Sequence, residues 1–115
     1  MKSVWCFVYG NLRTEGTEYK QFQLKDKAKF LGEIKIEGYA LYLDEDLDPY
    51  AVHDKQGIIS GEVLIIEDST FRHIKIWKFI NGFDLVPDED LMIFLRMKHP
   101  TGKITKVESG IWKTK

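Results

Sequence analysis

Phe7-Val8-Tyr9-Gly10-Asn11-Leu12-Arg13 is the arrangement in this chain with the clearest chemical potential. A β-prone run, Val4–Tyr9, stops at Gly10-Asn11, a pair that tolerates left-handed backbone and tight turns. A buried strand that ends so abruptly leaves successive backbone amides without partners at the end of the sheet. Amides placed in this way can form a concave nest for an anion or a carboxylate. By spacing alone, the same residues also read as a strand followed by an ordinary turn. Glu62 lies in a second strong β-prone run. An outward-facing strand carboxylate is its plain reading, and proton transfer its chemical one.

Other groups suit solvent or core better than chemistry. Asp44, Asp46 and Asp48 have the alternate spacing of a calcium loop. Pro49 stands where such a loop needs glycine, and Lys55 where it needs a bidentate glutamate, so the segment reads as a solvated acidic loop. His53, His73 and His99 lack metal-ligand spacing, and no metal site is expected. Cys6 sits inside the apolar opening run and reads as a small core residue. It is the sole cysteine, which excludes an intramolecular disulfide and any Cys-rich zinc site.

These groups must be positioned by mixed elements. Val4–Tyr9, with no polar residue at alternate positions, reads as a strand buried on both faces. Tyr19–Asp26 has the contacts for a short helix. Ala28–Glu37 alternates as a half-buried antiparallel strand, with Phe30, Gly32, Ile34 and Ile36 on one face. Gly38 is expected to break it before a further strand, Tyr39–Leu43. Tyr50–His53 reads as a short strand, Lys55-Gln56-Gly57 as a turn, and Ile58–Glu67 as a strong strand. The period then changes. Asp68, Ser69 and Thr70 are N-cap candidates, and Phe71, Ile74, Trp77 and Ile80 follow at helical spacing, with Ile76 and Phe79 widening the apolar face. Asn81-Gly82 is a helix stop. Leu91–Met97 is the last clear strand, and Ile104–Trp112 either pairs back or lies as an ordered tail. Strands before, between and after one principal helix predict an α+β fold with a curled sheet, in a single domain over residues 1–115.

The 115 residues suffice for a core without staples, because a chain of this size buries roughly two-thirds of its extended surface. Seventeen basic against eighteen acidic residues give a net charge of −1, which argues against a general nucleic-acid binder. Residues 96–115 carry six basic side chains and one acidic, but these are scattered singly and read as a solvated face. No run approaches the ~18 apolar residues of a membrane span, and the opening run is too short for a signal-peptide core. A cytoplasmic protein without membrane contact is the expectation. The oligomeric state is left open.

Val8-Tyr9-Gly10-Asn11-Leu12-Arg13 resembles the V-Y-G-T-L-R or V-Y-G-S-L-R signature of the γ-glutamylcyclotransferase-like, or AIG2-like, family. The resemblance continues in family order. Lys29-Phe30-Leu31-Gly32 is similar to its a-x-F-L-G strand, and Gly38-Tyr39-Ala40-Leu41-Tyr42 to its G-Y-x-L-Y. Asp48-Pro49-Tyr50-Ala51-Val52 is similar to x-P-Y-A-V, Gly61-Glu62-Val63 to G-E-V-Y, and Glu108-Ser109-Gly110-Ile111-Trp112 to the S-G-D-W close of small bacterial and archaeal members. The resemblance implies a small mixed β-barrel with flanking helices. It implies an activity in which the α-amine of a γ-glutamyl substrate attacks its own γ-carbonyl, releasing 5-oxoproline and an amine without any cofactor. It also implies that backbone amides of Tyr9, Gly10, Asn11 and Leu12 hold the glutamyl group, with Tyr42, Tyr50 and Glu62 as candidate pocket walls.

The resemblance fails at the proton-transfer group. The family carries a Glu in the helix after the G-E-V-Y strand. Aligning Phe71 and Ile74 with the family's leucines puts Lys78 on that Glu, and a shifted register puts Asn81 there instead. Neither is a carboxylate, and a lysine accepts a proton only if burial lowers its pKa by several units. Three readings follow. The chain is a degenerate member that binds a small γ-glutamyl or carboxylate ligand with little turnover. It is an active cyclotransferase with a relocated acid–base group such as Glu62. Or it is an interaction scaffold without a ligand. The missing helix Glu favours the first and third, and the retained loop favours the first over the third.

Overall fold

The computed structural model describes residues 2–96 and 98–112. One six-stranded mixed sheet organises them, in the order β4-β5-β1-β3-β2-β6, and it curls into an open half-barrel. β1 (Ser3–Val8) lies in the middle, antiparallel to β3 (Pro49–Glu67) and parallel to β5 (Leu91–Arg96). The uninterrupted apolar run of β1 fits that place, because alternate residues feed different cores. Cys6 and Val8 pack with Leu64, Ile66, Phe71 and Ile74 under the principal helix. Phe7 and Tyr9 pack with Leu41, Ala51, Ile59 and Leu95 on the other face.

β2 (Ala28–Leu43) and β3 form one long hairpin rather than the four shorter strands expected. Gly38 does not end β2. It sits at φ +96°, in a register shift between Glu37 and Tyr39, and so bends the strand instead of breaking it. Residues 55–57, expected as a turn, stay within β3 but, with Asp54, fall opposite that shift, between the pairs Tyr39–His53 and Glu37–Ile58. The predicted burial of one face of β2 is also incomplete. Phe30 and Ile34 of that face are exposed, as is Leu31 on the other, because among the described residues this half of the hairpin receives no covering layer.

The expected helix over 19–26 divides into α1 (Thr17–Gln21) and α2 (Leu24–Lys27), separated where Gln23 adopts φ +55°. α3 (Asp68–Ile80) is the principal helix. Its N-cap is Glu67, without a side-chain cap, so Asp68, Ser69 and Thr70 do not fill that role. The helix buries Thr70, Phe71, Ile74 and Lys78, while Ile76, Phe79 and Ile80 are exposed. Lys78 follows Ile74 on the inward stripe, which turns Ile80 away from the core. The helix stops as predicted, with Gly82 at φ +90° and its amide donating to the Phe79 carbonyl.

β4 (Phe83–Asp88), which the sequence pattern did not signal, pairs with β5 as an edge strand. β5 ends at Arg96; Met97, expected as its last residue, lies outside the described residues. β6 (Thr105–Lys106) pairs with the end of β2, and the rest of 104–112 forms an ordered tail. No helix among the described residues is long and apolar enough to cross a membrane.

Candidate functional site

β1 makes its last pairing at Val8 with Glu62, and the chain then leaves the sheet. Tyr9 anchors this exit. Its buried hydroxyl donates to the Phe94 carbonyl (2.7 Å) and accepts from the Ala51 amide (3.1 Å), tying the loop to both neighbouring strands. Burial holds this phenol above its ordinary pKa, so Tyr9 acts as a neutral fixture. Beyond it the loop folds on itself. The Arg13 amide donates to the Gly10 carbonyl, and the Asn11 carbonyl accepts from the amides of Glu18 (3.0 Å) and Tyr19 (3.1 Å).

Two glycines allow this geometry. A Cβ on Gly10 would stand 2.7 Å from Pro49 Cγ, and one on Gly16 would collide with the Asn11 carbonyl. Among the described residues, the amides of Gly10, Asn11 and Leu12 donate to no backbone or side-chain acceptor. They border a narrow pit of about 20 Å³, room for about one water molecule, shared with Pro49, Phe94 and Lys78. Asn11, Pro49 and Lys78 also line an open cleft of about 390 Å³, on which Glu18, Asp48 and Arg96 converge.

Lys78 comes from the last turn of α3, and its Nζ lies 2.8 Å from Glu18 Oε1. Both residues are more than nine-tenths buried. The ammonium also sits 4.5 Å from the centroid of the Phe83 ring, a cation–π contact. The Glu18 contact is an ion pair rather than an aligned hydrogen bond, since Oε1 has no hydrogen-bond partner of good geometry. At the outer rim, Arg96 packs over the rings of Tyr50 and Phe83. The Asp44 carboxylate caps the amides of Asp46 and Asp48, so the acidic loop is built around its own turn. Asp48 is held above its ordinary pKa, first by desolvation and then by its acidic neighbours Asp44 and Asp46.

The residues singled out by sequence separate into two groups. Tyr9, Gly10, Asn11, Leu12 and Lys78 meet at the pit, and Asn81 stands further out on the cleft, its side chain donating to the Trp77 carbonyl. Glu62, Tyr42 and Tyr50 lie elsewhere. Glu62 is buried on the other side of the loop, where it accepts from the Thr14 amide (2.8 Å) and hydroxyl (3.2 Å) and borders a separate depression beside Arg13. Its strand position opposite Val8 directs it to staple the segment after the loop. Tyr42 and Tyr50 stack on each other, and the Tyr50 hydroxyl bonds His99 Nδ1, so the pair backs Arg96 from behind.

Glu18 is the residue that the sequence reading missed. It stands in a polar stretch beside Glu15, and nothing local marks one as buried. The nearest signal is Gly16, whose close approach to Asn11 brings α1 against the loop.

Residues 6–90 match the family described as "Gamma-glutamyl cyclotransferase, AIG2-like". The chain belongs to this family. A relative from Pyrococcus horikoshii, named "Putative gamma-glutamylcyclotransferase PH0828", is 44% identical over 85 residues, which span 74% of this chain and 68% of the relative. The crystal structure of PH0828 superposes with a TM-score of 0.80 at 34% identity, covering 95% of this chain and 89% of that one. The Escherichia coli protein ytfP, solved by NMR, gives a TM-score of 0.67 at 26% identity, covering 95% and 96%. An AIG2-like protein from Mus musculus shares the fold alone, with a TM-score of 0.71 at 15% identity over 88% and 82%. The γ-glutamylcyclotransferase-like fold read from the motifs is therefore the fold of this chain, and the family's opening loop is the segment that borders the pit.

Proposed function

We propose that this protein binds a γ-glutamyl compound or a related small carboxylate in the cleft, with the amides of Gly10, Asn11 and Leu12 holding its carboxylate or carbonyl oxygens. One observation carries this reading: three consecutive amides without acceptors border a pit at the end of a buried strand. Amides fixed by the fold bind an anion at little cost in reorganisation, and an unfilled donor next to a cavity invites an acceptor. The family membership and the name of the Pyrococcus horikoshii relative favour a γ-glutamyl ligand. Lys78, which one of the two registers puts at the family's Glu position, borders the same pit, and Asn81, the residue of the other register, is an amide. α3 therefore offers the ligand no carboxylate.

The test is a titration of ¹⁵N-labelled protein with 5-oxoproline and with L-γ-glutamyl-L-alanine. Saturable shifts of the Gly10, Asn11 and Leu12 amide signals are expected. Saturable binding with shifts centred elsewhere, or no binding of either probe, overturns the reading.

A further inference from the structure

The cleft contains one deeply buried carboxylate, Glu18, which α1 contributes rather than α3. Its backbone is bonded to the loop itself, since its amide and that of Tyr19 both donate to the Asn11 carbonyl. The carboxylate is thus fixed relative to the free amides of Gly10, Asn11 and Leu12. Oε1 faces Lys78 at 2.8 Å and has no hydrogen-bond partner of good geometry, which leaves it capacity to accept a proton. Burial of two charges is a poor source of stability, because desolvation offsets their attraction. A buried ion pair on the wall of a cleft is more readily explained by chemistry there.

We propose that Glu18 is the proton-transfer residue of this site and Lys78 its positioning residue. The proposal rests on the binding reading above. The Glu18 carboxylate takes a proton from the α-ammonium of a bound γ-glutamyl compound. The freed amine nitrogen attacks the γ-carbonyl carbon and forms the new C–N bond of the ring. As the tetrahedral intermediate collapses, the original amide C–N bond breaks, the Glu18 carboxylic acid returns its proton to the departing amine, and the ring nitrogen sheds its second proton to that released amine. 5-Oxoproline and a free amine result, with no oxidant, metal or further reactant. The loop amides hold the reacting group, while Lys78, braced on Phe83, orients the carboxylate.

The experiment measures 5-oxoproline released from L-γ-glutamyl-L-alanine and from γ-glutamyl-ε-lysine by the full chain, alongside 5-oxoproline binding. The wild type is expected to turn over. Glu18→Gln should lower kcat by ~10²–10⁴-fold while 5-oxoproline binding changes by only a few-fold. The acidic limb of the pH–rate profile should vanish in that variant. Formate should restore part of the rate to Glu18→Ala, a rescue that a purely structural role does not predict. Binding of 5-oxoproline without release from either substrate by the wild type overturns the proposal and leaves the binding reading intact. Absence of binding removes both. Undiminished turnover in Glu18→Gln also overturns the proposal. If Glu18→Gln fails to fold, formate rescue of Glu18→Ala and the rate of Glu18→Asp decide: no rescue, together with an Asp variant as slow as the Ala variant, overturns it.

Discussion

Lys78→Met is the most direct probe of the buried pair. Methionine keeps most of the aliphatic volume and removes only the ammonium, so packing against Phe83 and Phe94 is largely preserved. What remains is the Glu18 carboxylate, more than nine-tenths buried and without its counter-charge. Breaking one side of a buried pair typically costs ~3–5 kcal/mol, and loss of the cation–π contact adds ~0.5–1 kcal/mol. For a chain of this length, ~4 °C of melting temperature accompanies each kcal/mol, so a fall of ~14–24 °C is expected. Glu18→Gln should cost less, because the long Lys78 stem can carry its ammonium toward the cleft mouth. The double variant Glu18→Gln, Lys78→Met removes both charges and should recover most of the loss. The two single changes are then far from additive, with a coupling of ~2–3 kcal/mol. Urea unfolding of the four proteins at two salt concentrations measures this, and the coupling should be nearly independent of salt because the pair is shielded from solvent. A cost below ~1 kcal/mol for Lys78→Met, or additive single changes, would refute the placement of this pair in a desolvated environment.

Two further outcomes follow from the loop and the core. Gly10→Ala introduces a methyl 2.7 Å from Pro49 Cγ, and the proline ring cannot rotate away. The loop or the proline must shift, so 5-oxoproline affinity should fall at least ~10-fold, with a stability loss of ~1–3 kcal/mol of the kind that overpacking causes; calorimetric titration and thermal melting check both. Burial pushes the Cys6 thiol up to about 12 from its ordinary value of 9 and holds the Tyr9 phenol above its ordinary value of 10. Above about pH 9 the unfolded chain has lost protons that the folded chain keeps, so stability falls as pH rises, by ~1.4 kcal/mol per pH unit for Cys6 and more steeply above about pH 10 as Tyr9 joins. Urea midpoints between pH 7 and 10.5 should follow that curve, and Cys6→Ala should delay its onset by about one pH unit.

The parts of this protein legible in its sequence are those governed by local periodicity and backbone chemistry. The run Val4–Tyr9 is apolar at every position, which only a strand covered on both faces can use, and β1 lies between two cores. Gly10 ends that strand because the backbone there packs against Pro49, and the motif surrounding it marks the family. The three-residue spacing of Phe71 and Ile74 places them inward, and Gly82 ends α3 with a positive φ. Other features depended on which surfaces the fold covers. Ile76, Phe79 and Ile80 are as apolar as the core residues, yet among the described residues no element lies over them. Gly38 carries the same local signal whether a strand breaks or bends, and only pairing with β3 selects the bend. Glu62 is turned away from the cleft by its strand register, and Thr14 satisfies it there. Glu18 looks like any exposed glutamate until the Gly16 contact brings α1 against the loop and Lys78 meets it from α3. That meeting joins residues sixty positions apart, and no periodic pattern along the chain encodes such a distance. Burial and charge pairing belong to the assembled surfaces, so tertiary structure alone decided where the cleft's carboxylate lies.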